Sequence, residues 1–537
     1  MNGLGRDGVA STPPGAGARF LAGPAVDLAV VAGLLVLAAL LRIPDLATRG
    51  PWDTDQGEQM LAIRSIVHGQ LTLLGAQTST GGVHHGAVFY YLGALFALPS
   101  GGDDPTAVAF GIALGGIATV GFVWWLARAA GGPVAGFVAG LLAVVSAQMI
   151  DASVRLWNPA FVAPAAAFAL AAAFEGRRRG NPRWWVAVGI GVLLAGQSHV
   201  LAWVLAAPVT VLAVGELRRN GRRAVPWLAT AAGIVALSFI PVLVSEMLTG
   251  FGELRALTEA RGGLGEGTPP LWLRAVFVPF RVLSVPLVGD VLRSLAVTAA
   301  AAALVIGAGL LAARDRGRSG RPSGDPSVVG AGGNVPSAAG AARLLGVGLL
   351  LGCAGLVVGA PWLSQVTPLY VDHYHLALDP IVFALLGLGA AVLWRVAAGR
   401  VAVVGVVAAM AAWNLLAVPL PAVNADGGWP AGRAAGERVV EVNGDRPAAI
   451  AGSPKFKKTT AVDYPVTVLG HAPAPAADAT RVTVLCDALF EEVVGLACLG
   501  PAEAARLAEV GIAPGPVVTR FEAAPGRWIS IYEIAGR

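Results

Sequence analysis

Charge is scarce in this chain: 13% of its 537 residues are charged, against about 25% in a soluble domain. With 55% hydrophobic residues and a mean hydropathy of +0.68, the composition excludes an ordinary soluble fold and implies a polytopic α-helical membrane protein. Lysine is almost missing; the three present are Lys455, Lys457 and Lys458. The net charge of +5 comes from arginines gathered at the ends of apolar runs. Membrane topology accounts for them, so nucleic-acid binding is not implied. Of the three cysteines, Cys353 lies within an apolar run, and Cys486 and Cys498 could be bonded if their segment is extracytoplasmic. The chain has no GxxxxGK[ST] loop and no GxSxG elbow, which argues against nucleotide-driven chemistry and a serine-hydrolase site. What it has in quantity is glycine (71) and proline (36), both better tolerated in membrane helices than in soluble ones.

Residues 1–24 are Gly/Pro-rich and read as a disordered cytoplasmic tail. The run that follows is too long for a signal peptide and is kept as an anchor. Apolar runs able to cross, or nearly cross, the bilayer fall at 25–43, 105–127, 132–149, 157–174, 225–247, 291–313, 343–360, 375–394 and 400–418. The stretch 184–216 reads as two short spans broken at 196–199 (GQSH). Residues 86–99 are apolar but short, which suggests a half-span. Arginine-rich loops around 177–179, 218–223, 314–321 and 395–400 should be cytoplasmic. The loops at 44–85, 150–157, 196–199, 248–290 and 361–374, with everything after 418, then lie outside. The scheme closes with about eleven full spans. Residues 314–342 form a flexible cytoplasmic linker, and 421–537 a small extracytoplasmic α/β domain. That domain has strands near 481–485 and 528–534 and helices near 432–442 and 502–509.

The external side collects the polar residues. Between the first span and an amphipathic helix stands 51–58 (PWDTDQGE), with Asp53, Asp55 and Glu58 within six residues. From residue 59 onward Met60, Ile63 and Val67, with Leu61 and Ile66, recur at helical spacing, as in a helix lying on the bilayer surface. Asp55-x-x-Glu58 also fits a capping box, which alone would explain both carboxylates. The same side holds His84, His85 and Tyr90; Asp151, Arg155 and Asn158; His199; and Tyr370, His373, Tyr374 and His375. Singly, a histidine at a span end is more often an interfacial anchor, and Asn158 before Pro159 could cap a helix. Together they point to one site open to the outside, because ionisable groups near a bilayer are costly. The histidine pairs lack the spacing of a closed zinc site, so no metal ligands are assigned. A divalent ion shared by Asp55, Glu58 and a substrate phosphate is the one cofactor the acidic group would allow.

These residues also occur in a familiar order. The segment 52–58 (WDTDQGE) opens a helix, His68-Gly69-Gln70-Leu71 precedes Leu74-Gly75, and 82–86 (GVHHG) leads into 89–92 (FYYL). Later come 153–159 (SVRLWNP) and 370–380 (YVDHYHLALDP). Over roughly residues 25–420 the chain resembles the GT-C membrane glycosyltransferases, in the branch of protein O-mannosyltransferases and lipid A aminoarabinose transferases. The resemblance implies transfer of a sugar from a polyprenyl-phosphate donor to an extracytoplasmic lipid, polysaccharide or protein acceptor at the cell membrane. Asp55 matches the aspartate held to act as base. Asp55 and Glu58 are then the catalytic candidates, and the other site residues, with Asp53, are the substrate-binding ones. Arg155, His85 and His373 are the candidates for the donor phosphate. The chain departs from those relatives at Gln56, where an acidic residue is usual, at His85, where some have lysine, and at Asp372-His373 before Tyr374. Single displacement would invert the anomeric carbon. The loop 248–290 could be a lid. A transporter or lipid flippase would instead place polar groups at mid-membrane, usually in two matching halves; a non-catalytic assembly partner is the third reading.

Overall fold

The computed structural model describes residues 24–78, 82–263, 269–290, 293–315, 337–364, 372–417 and 423–536. The N-terminal tail up to residue 23, most of the linker (316–336), and Tyr370 lie outside the described residues.

Helix α1 (Pro24–Arg42) is followed by α2 (Thr54–Val67), a two-stranded antiparallel hairpin of β1 (Leu74–Gln77) and β2 (His84–Gly86), and the short α3 (Val88–Ala97). The bundle continues through α4 (Pro105–Gly131), α5 (Pro133–Val145), α6 (Val162–Arg179), α7 (Trp185–Ser198), α8 (Ala206–Asn220), α9 (Val225–Leu237), α10 (Ile240–Thr249) and α11 (Gly252–Gly263). It ends with α12 (Leu271–Val288), α13 (Leu295–Arg314), α14 (Ala338–Gly359), α15 (Asp379–Leu393) and α16 (Ala397–Ala417). Proline opens α4 and α5 at positions whose N–H needs no partner. The expected break at 196–199 is present: α7 stops at Ser198 and a 3-10 turn, Val200–Leu205, leads into α8.

Small residues let these helices approach closely, as membrane interfaces require. Nearly the whole length of α6 is buried, from Val162 to Gly176. Where α7 meets α6, a Cβ at Gly191 would lie 2.8 Å from that of Ala169. Arg42, fully buried at the end of α1, donates to the carbonyls of Val144 (3.0 Å) and Ala143 (3.0 Å), closing the C-terminal end of α5.

Among the described residues nine helical stretches are long and apolar enough to cross a membrane. Three apolar helices are shorter: Val88–Ser100, the expected half-span, and Pro133–Val145 and Asp379–Leu393, both expected as full crossings. One crossing-length helix was not expected. Leu271–Val288 falls inside the stretch read as an external loop, because Arg274, Arg281, Pro279 and Pro286 interrupt its apolar run. Its arginines are spent within the protein: Arg274 donates to the Val357 carbonyl (3.2 Å), and Arg281 pairs with Asp372 and donates to the Leu363 carbonyl (3.1 Å). Of the stretch 248–290, α11 lies outside that helix.

The C-terminal domain contains α17 (Gly428–Asn443), β3 (Ala448–Ser453), α18 (Thr460–Val468), β4 (Arg481–Asp487), α19 (Pro501–Glu509), β5 (Pro514–Ala524) and β6 (Arg527–Ile534). The sheet order is β3-β4-β6-β5, with β3 parallel to β4 and the other pairs antiparallel. Val439, Val462 and Val466 pack on Leu485, Ile529 and Ile531 across one face, and Leu507 and Ile512 on Val482 and Val484 across the other. Cys486 and Cys498 are disulfide-bonded, tying β4 to the segment before α19.

Candidate active site

Helix α2 begins two residues earlier than a box built on Asp55 would require. Asp53 is the N-cap: its carboxylate accepts from the Thr54 N–H (2.7 Å), and its own N–H donates to Gln56 Oε1 (3.0 Å). The capping box therefore belongs to Asp53 and Gln56, which corrects the assignment to Asp55 and Glu58. Asp53 is further held by Lys457 Nζ (2.8 Å) and Arg527 Nη2 (2.9 Å). Burial would raise its carboxyl pKa, but Arg527 and Lys457 outweigh that and hold it below the usual carboxylate range. Glu58 pairs with Lys458 at 2.7 Å. Asp53 is thus committed to the helix cap and to two cations.

Asp55 is left over. Its carboxylate makes no hydrogen bond or close ion pair to any described residue. Its side chain is accessible, yet desolvation by the surrounding protein, then Asp53 and Glu58, raise its pKa against the opposing pull of Lys458 and Lys457. The apolar stripe of α2 does not lie on lipid: Met60 and Ile63 are fully buried among Phe89, Tyr90, Ala94, Val108 and Ile112. Tyr90 is buried there, in electrostatic range of Asp55 and Glu58.

The other segments read as external meet at the same end. Gln56 Nε2 donates to the Leu156 carbonyl (3.0 Å), joining α2 to the loop that carries Asp151 and Arg155, themselves paired at 2.7 Å. Asn158 donates to the Ser198 carbonyl (2.8 Å). His85 and His199 pack at a tilt with ring centres 4.5 Å apart, and His373 lies 5.3 Å from His199 and 4.5 Å from Trp157. Tyr374 completes the cluster, 5.5 Å from His199. The Val200 N–H donates to His85 Nδ1 (3.0 Å), so the proton of His85 sits on Nε2. Burial lowers His85 to about 4 and His373 to about 3. Held neutral near pH 7, both can offer a phosphate only a neutral hydrogen bond. His375, fully buried, sits between Asp379 (2.6 Å) and Asp372 (3.5 Å). His84 faces the other way, pairing with Glu253 of α11 at 2.8 Å. Among the described residues no group of three or more His, Cys, Asp or Glu is arranged to hold a metal. Glu58 is taken by Lys458, which leaves Asp55 alone among the acidic trio for any shared ion.

Sequence reasoning missed Lys457, Lys458 and Arg527, which contact the acidic trio, together with Arg281 and Glu253. The confinement of all lysines to one short stretch was the available signal; nothing marked the other three.

Residues 84–244 match the family model described as dolichyl-phosphate-mannose-protein mannosyltransferase. Among solved structures, ArnT from Cupriavidus metallidurans in the apo state is similar with a TM-score of 0.57 at 13% identity, covering 96% of this chain and 98% of ArnT. The fold is that of the GT-C glycosyltransferases. Archaeal oligosaccharyltransferase AglB from Archaeoglobus fulgidus follows at 0.52 and 12% identity, covering 94% of this chain and 74% of AglB. Arabinofuranosyltransferase AftD from Mycobacteria matches at 0.53 and 14%, covering 96% of this chain and 40% of AftD. No curated protein matches the sequence. The chain is thus a multi-pass membrane protein of GT-C architecture that resembles the ArnT and protein mannosyltransferase branch.

Proposed function

We propose that this GT-C chain transfers a sugar from a polyprenyl-phosphate donor to an acceptor on the extracytoplasmic face, where its C-terminal domain lies. The observation that carries the reading is Asp55, the one acidic group of its helix terminus with no hydrogen-bond or ion-pair partner among the described residues. ArnT has been solved with undecaprenyl phosphate and AglB with dolichol phosphate, which supports a lipid-linked donor here.

In this mechanism the Asp55 carboxylate takes the proton of an acceptor hydroxyl as its oxygen attacks the anomeric carbon. The carbon–oxygen bond to phosphate breaks, and the departing polyprenyl phosphate keeps the electron pair. Arg155 supplies positive charge for it, and the Nε2–H of His85 a neutral donor. One displacement inverts the anomeric configuration.

The test is to supply labelled polyprenyl-phosphate sugars singly to membranes with and without the chain, offering lipid, polysaccharide and protein acceptors. Transfer that depends on the chain, with a product of opposite anomeric configuration, is expected. Retained configuration would overturn single displacement, and no transfer from any donor would overturn the reading. Since Asp55 must be ionised to accept a proton and its pKa is raised, activity should fall as pH drops through that raised value. The acidic limb of kcat/KM should lie above the usual aspartate range of roughly 4 and vanish from residual activity when Asp55 is replaced.

A further inference from the structure

Two of the chain's three lysines reach across from the C-terminal domain to the start of α2. Lys457 Nζ lies 2.8 Å from Asp53 and 2.8 Å from Asp487, and Lys458 Nζ lies 2.7 Å from Glu58. The backbone between them is pinned to the same helix: Thr54 Oγ1 donates to the Lys458 carbonyl (3.2 Å) and Thr460 Oγ1 to the Thr54 carbonyl (2.6 Å). Behind it, Trp52 Nε1 donates to the Ala461 carbonyl (2.9 Å), and the Trp52 ring packs on Trp429 and Tyr464. The loop is therefore set in register with α2 by side-chain hydrogen bonds to main-chain carbonyls, and the lysine positions follow from that register.

Building on the function proposed above, we infer that Lys457 and Lys458 are positioning residues through which the C-terminal domain completes the active site. Three carboxylates within six residues repel one another and each raises the pKa of the others. The two lysines each take one flanking carboxylate and leave the middle one, Asp55, open to an acceptor. The groups facing Asp55 are Asp53 and Glu58 on its own helix, Lys457 and Lys458 on the loop, and Tyr90 on α3; Arg527 and Asp487 stand behind Asp53. Both lysines act on Asp55 in the direction that keeps it ionised.

Lys458 is the residue to change. It is 46% exposed, and an exposed ion pair contributes little to folding, whereas removing Lys457 would leave Asp53 and Asp487 to share Arg527. In the full-length protein, carbodiimide coupling of Asp55 followed by mass spectrometry across a pH series reads the protonated carboxyl without any substrate. Lys458→Gln should move the Asp55 midpoint upward by about half a pH unit, the size expected of one nearby charge in a high-dielectric site. Lys458→Arg should restore the wild-type midpoint. An unchanged midpoint in Lys458→Gln, or an equal shift in Lys458→Arg, would overturn the inference. The labelling needs no donor sugar, so its failure is distinct from a failure of the transferase reading, which the transfer assay decides.

Discussion

Asp55→Asn is expected to lower transfer by roughly 100- to 10,000-fold, the usual share of a positioned general base, or about 3–5 kcal/mol of barrier. Asparagine keeps the shape of the side chain but cannot take a proton. Because Asp55 makes no hydrogen bond or close ion pair to a described residue, and the cap is Asp53, the variant should accumulate and melt like wild type. Asp53→Asn should behave in the opposite manner. It weakens contacts to Lys457 and Arg527, so it should lower stability first and activity as a consequence. Protein level, thermal unfolding and transfer measured together on both variants separate the two roles. An Asp55→Asn chain that transfers normally would return Asp55 to being a bystander.

Gly57→Ala should be nearly as damaging, although alanine is normally favoured over glycine inside a helix by about 1 kcal/mol. A Cβ at Gly57 would overlap the backbone carbonyl of Thr460, closer than real atoms approach. Neither side can yield cheaply, since one is α2 and the other the first turn of α18. The domain must shift away, and the pairs Lys457–Asp53 and Lys458–Glu58 shift with it. Overpacking of this kind costs about 1–3 kcal/mol or more. The expected result is faster proteolysis within 423–536 and loss of transfer. Gly33→Ala in α1, where a Cβ meets nothing within 4 Å, should be silent in both assays. A Gly57→Ala chain that resists protease and transfers normally would show that the domain need not dock closely.

The bundle was legible wherever an apolar run was long and unbroken, as at α1, α4 and α14. It was not legible at Leu271–Val288, where two arginines and two prolines hide a helix whose charges are satisfied by neighbours far along the chain. At the site, the residue pattern singled out 51–58 but could not say which aspartate caps. Asp53-x-x-Gln56 and Asp55-x-x-Glu58 both fit the box, and only backbone geometry chooses. The partners of the acidic trio lie some 400 positions away in sequence, as Lys458 and Glu58 do, so no local pattern shows them. The lowered basicity of His85 and His373 was equally hidden, because it follows from burial of the one against His199 and of the other against His199 and Trp157.

The most direct test of Asp55 as the centre of a lipid-linked sugar transferase is to locate a bound polyprenyl phosphate by electron cryo-microscopy of the chain in lipid nanodiscs. The phosphate is expected beside Arg155 and the His85, His199 and His373 cluster, within one sugar's length of Asp55, with its tail leaving towards the bilayer. A phosphate bound at the opposite end of the bundle, among the arginines of α6 and α8, would contradict that assignment.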